Sequence, residues 1–245
     1  YANACLERMI PLYSDFLLDS GAFTFLNSRS NHCDWNDYLR RYADFINRNR
    51  IEKFFELDID SVVGYPAVLR LRDKLESLTS RKCIPVWHKG RGYKDFLETC
   101  ERYSYVAIGG VVIKEIKPPQ YVAFKRMLAD AAARKCKVHG LGFTRLTLLH
   151  EYPFYSVDSS AWTTGNRFGY AYSFDGTTLQ KVEAPPGKRV ADPKRLAMHN
   201  YEEWCKYADY AKTHFRKGRK HHGKNQNFKA SDVAFDTFCI VLSDK

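Results

Sequence analysis

The amino-acid sequence predicts an α/β protein of the TIM (β/α)8-barrel type. Short apolar runs alternate with segments whose apolar residues recur at helical spacing, which is typical of parallel strands joined by helices. Six or more such repeats fit within 245 residues, and this density favours a barrel over a doubly wound sheet. The chain has no long linker and no low-complexity region. We therefore expect a single catalytic barrel over residues 1–213 and a basic segment over residues 214–245.

The predicted strands are short, and most of them end on a polar residue or a glycine. In chain order they are DFLLD (15–19), KFFELDID (53–60), CIPVW (83–87), YVAIGG (105–110), KVHGLG (137–142), FYSVD (154–158) and YAYSF (170–174). An Asp-Gly pair follows the last run and predicts a turn. Residues 1–14 contain only a helix-like pattern, so we expect the first barrel strand to lie upstream of Tyr1.

Helices are predicted between these strands, where apolar residues recur every three or four positions. They cover residues 35–49, 65–81, 93–103, 119–135 and 200–215. Pro66 lies near the start of the second helix, where its missing N–H carries no penalty.

The composition indicates which partners and which cellular compartment to expect for the protein. A net charge of +11 favours a polyanionic partner, most often nucleic acid, although a basic surface can also serve solubility alone. Seven cysteines are dispersed without a C-x-x-C pair, which indicates reduced thiols in a cytoplasmic protein. No apolar run reaches the roughly 18 residues that a membrane span requires, so we expect no membrane partner.

Polar residues and glycines collect at the predicted strand ends, which is where barrel enzymes place their catalytic groups. These residues are Asp19, Asp58, His88, Gly109, Gly110, His139, Gly140 and Asp158. One aspartate in such a position is usually a helix cap or a turn residue. Three of them, each after an apolar strand, indicate a functional site.

Such a group of residues suits chemistry at a sugar that carries a purine-like base. A carboxylate can attack an anomeric carbon through an oxocarbenium-like transition state, with a second acid or base nearby. An aspartate can also accept hydrogen bonds from the N1–H and amino group of a guanine-like ring, while an aromatic side chain stacks on its face. Glycines let the backbone approach the edge of the ring.

Six segments resemble, in order, the motifs of tRNA-guanine transglycosylases, the queuine and archaeosine tRNA-ribosyltransferases. They are LLDSGAF (17–23), FFELDI (54–59), PVWHKGRGYKDF (85–96), VAIGGVVIKE (106–115), VHGLG (138–142) and SVDSSAWTTGNRFGYAYSFDG (156–176). Each segment is weak evidence alone. Together they extend across residues 15–176, so the resemblance rests on their order as well as on their residues.

The resemblance implies catalytic roles for two aspartates. Asp158 stands at the position of the nucleophile that attacks C1′ of the target guanosine, and Asp19 at that of the aspartate that handles the base and proton transfer. Asp58 matches the aspartate that grips the pyrimidine edge of the incoming base. His88 stands where the family has glutamine, and an imidazole offers fewer hydrogen bonds than an amide.

The resemblance also implies a set of residues around the bound base. They are Ser20, Phe23, Asp58, His88, Gly109, Gly110, Val111, Glu115, His139 and Gly140. Phe23 is expected to stack on the ring. His139 stands where a methionine covers the ring in the family, so its imidazole is expected to stack in the same place.

The chain departs from the tRNA enzymes in two regions. Residues 181–200 correspond to their C-x-C-x-x-C…H zinc site but contain no cysteine, so we expect no zinc subdomain and no metal. The C-terminal RNA-binding extension of the archaeal enzymes is also missing. This combination resembles the zinc-less DNA-acting (DpdA-type) branch of phages and bacteria. Nucleic-acid contacts are expected from Arg167, Arg216, Lys217, Arg219 and Lys220.

The resemblance therefore implies a DNA-guanine transglycosylase in the cytoplasm of a phage host or a bacterium. Its partners would be DNA and a free 7-deazaguanine base such as the 7-cyano form, preQ0. It would need no cofactor, because one glycosidic bond replaces another. The same exchange on tRNA is the first alternative, and a non-catalytic nucleic-acid-binding barrel is the second. A glycoside hydrolase fits less well with the Gly-Gly strand and the ordered set of motifs.

Overall fold

The computed structural model describes residues 4–13, 15–22, 33–143, 146–158, 161–183, 192–218 and 238–239. The chain divides into two compact units. The first contains residues 1–110 and 130–138, and the second contains residues 111–129 and 139–245. Each unit is described by itself below.

Parallel strands that follow one another in chain order run through the first unit. They are β1 (Leu17–Leu18), β2 (Lys53–Phe54), β3 (Val86–Trp87), β4 (Tyr105–Ile108) and the first residues of β5 (Lys137–Gly140). Strand β1 pairs with β2, and a second sheet begins with β3, β4 and β5. Leu17 pairs with Lys53, and Val86 pairs with Ala107. Phe55 and Ile84 form a parallel bridge that brings β2 next to the chain leading into β3. The Lys137 N–H donates to the Ser104 carbonyl at 2.8 Å, alongside β4.

Five helices of the described residues belong to the first unit. They are α1 (Ala4–Met9), α2 (Trp35–Arg48), the single turn α3 (Asp60–Val63), α4 (Tyr65–Thr79) and α5 (Gly92–Arg102). Asp34 caps α2 by accepting from the N–H groups of Asn36 and Asp37, at 2.9 and 3.1 Å. One face of α2 is buried in an apolar core that also contains residues of β1 and β2. This packing fixes the helix against the strands that lead to Asp19 and Asp58.

The second unit contains another run of parallel pairing and an antiparallel hairpin. The end of β5 pairs with β6 (Ser156–Asp158), with His139 opposite Ser156, and β6 pairs with β9 (Phe238–Cys239). The hairpin joins β7 (Tyr170–Phe174) and β8 (Leu179–Glu183). The remaining helices are α6 (Val122–Ala133), which begins in this unit, α7 (Ala161–Phe168) and α8 (Pro193–Gly218).

An aromatic cluster supports β5 and β6 in the second unit. Phe124, Phe143 and Phe154 have almost no exposed surface, and their ring centroids lie 5.0 to 5.6 Å apart. A side chain at Gly140 would begin 3.0 Å from Phe143 and 3.2 Å from Phe154. A Cβ at this point of β5 would therefore be crowded, because the Phe143 Cβ and the Phe154 ring lie close to its place.

The structure confirms a mixed α/β protein with parallel strands joined by helices. The five predicted helices are present, although α8 begins at Pro193 rather than at residue 200. The predicted Asp-Gly turn follows β7, where Asp175 accepts from the N–H groups of Thr177 and Thr178. A closed barrel and a single domain over residues 1–213 stay predictions, since consecutive parallel strands also occur in open sheets. No helix among the described residues is long and apolar enough to cross a membrane.

The sequence pattern did not predict α7 or β8. Gly165 lies within α7 and weakens the helical signal. The glycine is explained by tertiary packing, because a Cβ at this position would meet the side chain of Asn200 and would lie 2.6 Å from the Tyr170 carbonyl. Asn200 in turn donates to that carbonyl and accepts from the Tyr172 N–H at 2.7 Å, which ties α8 to the hairpin.

Candidate functional site

The described structure contains two clusters in which an aspartate is paired with a histidine, one in each unit. In both clusters, the aspartate comes at or after the end of a parallel strand and the histidine comes from the neighbouring strand. The chemistry of each cluster depends on which groups donate hydrogen bonds to the carboxylate and on which carboxylate oxygen receives none from the described residues.

In the second unit, two donors hold one oxygen of Asp158. His139 Nε2 lies 3.2 Å from Asp158 Oδ1, and the Gly142 N–H donates to the same oxygen at 2.6 Å. Gly142 has a φ of +63°, a conformation that glycine adopts at little cost, so its N–H can point back at the strand end. Among the described residues, no hydrogen bond reaches Asp158 Oδ2.

The other nitrogen of His139 contacts a serine. His139 Nδ1 lies 2.6 Å from Ser156 Oγ. An ionised Asp158 can only accept, so Nε2 carries the proton, Nδ1 accepts, and the Ser156 hydroxyl donates. This order follows from the β5–β6 register, which places His139 directly opposite Ser156, two residues before Asp158.

Burial determines which of the three side chains, Ser156, His139 or Asp158, can contact a substrate. The side chains of Ser156 and His139 are fully buried, whereas that of Asp158 is 15% exposed. The same three residue types occur in serine hydrolases, but there the serine is the exposed nucleophile. Here the group that reaches the surface is the carboxylate, so the arrangement presents Asp158 and not Ser156.

This geometry changes the interpretation of His139. Its imidazole was expected to stack on a bound base, but it has no exposed surface and both of its nitrogens have partners. The structure therefore makes His139 a partner of Asp158. The physical reason is the strand alternation, which turns its side chain toward Ser156 within the sheet layer.

In the first unit, a buried ion pair lies beneath the second cluster. Arg72 of α4 donates to both oxygens of Glu56, at 2.6 and 3.0 Å, and the Val86 N–H donates to Glu56 at 2.6 Å. Burial raises the pKa of Glu56, and the charge of Arg72 opposes that shift. Burial lowers the pKa of Arg72, but the charge of Glu56 and its hydrogen bonds stabilise the guanidinium, so the pKa of Arg72 is raised overall.

Asp58 and Asp60 follow Glu56 at alternate positions of the same segment. His88, directly after β3, places Nε2 at 2.7 Å from Asp58 Oδ1 and 3.8 Å from Asp60 Oδ1. Arg91 donates to Asp60 Oδ2 from Nε and Nη2, at 3.2 and 3.0 Å. The guanidinium of Arg91 also lies 3.9 Å from the centre of the Tyr65 ring, a cation–π contact.

Gly109 provides the space that His88 occupies. A Cβ at Gly109 would lie 2.8 Å from two atoms of the His88 ring, closer than side chains pack. The end of β4 thus forms a flat backbone surface under the imidazole. Gly109 was predicted as a residue that touches the base, and in the described structure its nearest neighbour is His88.

Asp58, Asp60 and His88 are the group of described residues that could hold a metal ion. One ligand atom from each lies within 4.8 Å of the other two. No metal was expected from the sequence, because residues 181–200 contain no cysteine ligands. Asp60 was not singled out, because it is the first residue of the turn α3 and only the tertiary structure brings it next to Asp58 and His88.

The loop after β1 is held by its own polar groups. Asp19 is half-buried, and its Oδ1 accepts from the Gly21 N–H at 2.9 Å. The Ser20 side chain is buried, and its carbonyl accepts from the Tyr38 hydroxyl at 2.6 Å. Burial, followed by the charge of Asp19, raises the pKa of Tyr42 well above its ordinary value. That Asp19 and Asp58 bind the same base stays a prediction.

The remaining predicted residues are placed as follows. Gly110 is buried with a φ of +85°, and Val111 and Glu115 are half-buried in the turn that follows it. Gly140 is buried at the end of β5. Phe23, Arg219 and Lys220 lie outside the described residues. Arg167, Arg216 and Lys217 belong to α7 and α8, but their side chains lie outside the description.

Comparisons of the chain with protein families, with curated proteins and with solved structures found no match. The resemblance to transglycosylases therefore rests on the six segments alone, and the function has to be argued from the two clusters.

Replacing Arg72 by methionine should destabilise the protein by about 3–5 kcal/mol, because Glu56 would remain buried without its cation. Urea unfolding measures the loss. Lys94→Met is the control, since Lys94 and Glu98 form an exposed pair and such pairs contribute at most about 1 kcal/mol. Equal effects of the two substitutions would show that the buried pair does not hold this unit together.

Proposed function

We propose that this protein exchanges guanine in DNA for a free 7-deazaguanine base, with Asp158 as the nucleophile. The observation that carries the proposal is the state of the Asp158 carboxylate. Two donors fix one oxygen at the end of β6, while no described residue donates to the other. A carboxylate oriented in this way is suited to attack an anomeric carbon without first reorganising its surroundings.

The proposed reaction has two displacements. In the first, Asp158 Oδ2 bonds to C1′ of the target nucleotide while the C1′–N9 bond breaks, and guanine leaves with a proton from Asp19. In the second, the incoming base gives its N9 proton back to Asp19 and bonds to C1′, which releases Asp158. One glycosidic bond replaces another, so neither an oxidant nor a nucleoside triphosphate is consumed.

His139 and Ser156 support this role by fixing the protonated nitrogen of the imidazole. With the Ser156 hydroxyl donating to Nδ1, the Nε2–H is directed at Asp158. The carboxylate therefore stays oriented between turnovers. In this arrangement His139 and Ser156 are positioning residues, because neither has exposed surface with which to contact the substrate.

The first unit supplies groups that suit a guanine-like ring. His88 engages Asp58 Oδ1, and no described residue donates to Asp58 Oδ2, so this oxygen can accept from the N1–H or amino group of the ring. His88 replaces an amide with an imidazole, which changes the donors available to the base. This difference favours a base other than the one that the tRNA enzymes select.

The charge of +11 supports a nucleic-acid substrate. A target nucleotide in a duplex has to leave the base stack, at a cost of a few kcal/mol, and contacts to phosphates offset that cost. The same chemistry on tRNA is the alternative. DNA is preferred because the chain has no cysteine in residues 181–200 to form the zinc subdomain with which the tRNA enzymes hold their substrate.

Incubation with radiolabelled guanine and either duplex DNA or tRNA tests the proposal directly. Label in DNA would support the proposed function, and label in tRNA alone would support the alternative. A protein that binds either polymer but incorporates no label under any condition would be a non-catalytic nucleic-acid-binding protein.

Asp158→Asn should lower the rate of label incorporation by a factor of about 10³ or more, because the amide keeps the shape of the side chain but is a poor nucleophile. The wild-type protein should also form a covalent complex with the polymer that survives denaturing electrophoresis, and the variant should not. Turnover within tenfold of the wild type would remove Asp158 from the role of nucleophile.

Ser156→Ala should lower kcat by about tenfold and leave KM for the polymer unchanged, since the serine acts through His139. Nitrogen NMR of the imidazole supplies a second measurement that does not depend on activity. The wild type should show a single Nε2-protonated tautomer, and the variant a mixture of tautomers. Ser173→Ala, at an exposed position of β7, is the matched control. An unchanged tautomer in Ser156→Ala would contradict the proposed hydrogen-bond order.

Replacing Arg216, Lys217, Arg219 and Lys220 together should weaken DNA binding equally for all sequences. The slope of binding against salt should flatten by up to about 0.9 log unit for each phosphate that the variant no longer neutralises. Base exchange on saturating DNA should change little, because the carboxylates lie elsewhere in the chain. Unchanged affinity with an unchanged salt slope would show that the polymer follows another basic surface.

A further inference from the structure

We infer that Asp58, Asp60 and His88 bind a divalent transition-metal ion such as Zn²⁺ or Mn²⁺. This metal site is separate from the proposed base exchange, and its existence does not depend on that reaction. The inference starts from the convergence of one oxygen from each aspartate and Nε2 of His88, all within 4.8 Å of one another.

The spacing of these atoms matches a small ion. Zinc lies about 2.0–2.2 Å from oxygen and nitrogen ligands, so tetrahedral ligands lie roughly 3.3–3.6 Å apart. His88 Nε2 is 2.7 Å from Asp58 Oδ1 and 3.8 Å from Asp60 Oδ1. Shifts of less than about 1 Å would therefore place all three atoms at coordination distance.

The ligand set indicates the kind of ion. An imidazole nitrogen suits zinc, copper, iron or nickel, whereas Mg²⁺ and Ca²⁺ prefer oxygen ligands alone. Three protein ligands leave a coordination position for water or for a further ligand, as in catalytic rather than structural zinc sites. When the ion binds, Nε2 becomes a ligand and the neutral imidazole carries its proton on Nδ1, so the Asp58–His88 hydrogen bond is replaced by two bonds to the metal.

The surroundings hold the three ligands in place. Asp60 turns its second oxygen to Arg91, and Gly109 supports the ring of His88. Outer contacts of this type orient metal ligands, and removing one usually weakens binding by about 10–100-fold. The three side chains are therefore held near one another before the ion arrives.

The charges of the cluster also favour a cation. Glu56 is paired with Arg72, and Asp60 is paired with Arg91. The three carboxylates of Glu56, Asp58 and Asp60 outnumber these two guanidinium groups by one. A divalent ion at Asp58 offsets the excess, and a bound ion then dominates the local electrostatics.

A bound ion would use two side chains, Asp58 and His88, that the proposed function assigns to the incoming base. It would take Asp58 Oδ1 and the nitrogen of His88, so the ion and the base should compete. This consequence rests on the proposed function, whereas binding of the ion does not. Measuring ion binding directly therefore separates a failure of the metal site from a failure of base exchange.

The experiment is calorimetric titration of the chelator-treated full chain with Zn²⁺ and with Mn²⁺, and with Mg²⁺ for comparison. We expect one ion per chain for Zn²⁺ or Mn²⁺ and much weaker binding of Mg²⁺. Asp60→Asn and His88→Gln should each weaken binding by more than about tenfold. Asp73→Asn, which changes an exposed aspartate of α4, should bind as the wild type does.

Two further measurements test whether the variants are folded and whether the ion binds to cysteine side chains instead. The ion should raise Tm of the wild type but not of the two ligand variants, whose circular dichroism should match the wild type. Co²⁺ in the site should show no thiolate charge-transfer band, because no cysteine is among the proposed ligands. Binding that is absent from the wild type, or that persists at equal strength in Asp60→Asn and His88→Gln, would overturn the inference.

Discussion

Glu56 and Arg72 face each other in the core of the first unit with 1% and 3% of their side chains exposed, and the other charged groups there are arranged around them. Glu56 also accepts from the backbone of β3, so this one carboxylate joins the end of β2, helix α4 and β3. Desolvating two charges is expensive, and the pair is offset by two hydrogen bonds from Arg72 and one from the Val86 N–H. Asp58 and Asp60 follow Glu56 two and four residues later in the chain.

In the second unit, strand register has the corresponding effect. His139 meets Ser156 and Asp158 because β5 and β6 pair in parallel at this offset. A shift by one residue would turn the imidazole to the opposite face of the sheet and leave Asp158 without its donor. The aromatic cluster around Gly140 opposes such a shift, since Phe143 and the Phe154 ring leave little room for a larger residue there. Packing of apolar residues thus maintains the hydrogen-bonded arrangement of His139, Ser156 and Asp158.

The two aspartate–histidine pairs share one principle. Each histidine fixes one carboxylate oxygen, while no described residue donates to the other oxygen of Asp58 or Asp158. Fixed donors around a charged group reduce the reorganisation that a reaction or a ligand would otherwise require. The environments differ, because Asp158 is held by His139 and a backbone N–H, whereas Asp58 lies beside Asp60, Arg91 and a buried ion pair. This difference suits Asp158 to nucleophilic chemistry and Asp58 to recognition of a cation or of a donor-rich ring.

The sequence by itself determined the α/β class, five of the helices and the aspartates after β2 and at the end of β6, because periodicity and strand-end polarity are local properties of the chain. The functional roles that it predicts for Asp158 and Asp58 stay predictions. Only the tertiary structure decided that His139 is buried against Asp158, that Ser156 completes that pair and that Asp60 joins Asp58 and His88. Helix α7 was not predicted for the same reason, since its Gly165 is explained by the close approach of Asn200 from α8. These contacts join residues far apart in the chain, and they depend on register and packing, which the pattern of a single sequence does not contain.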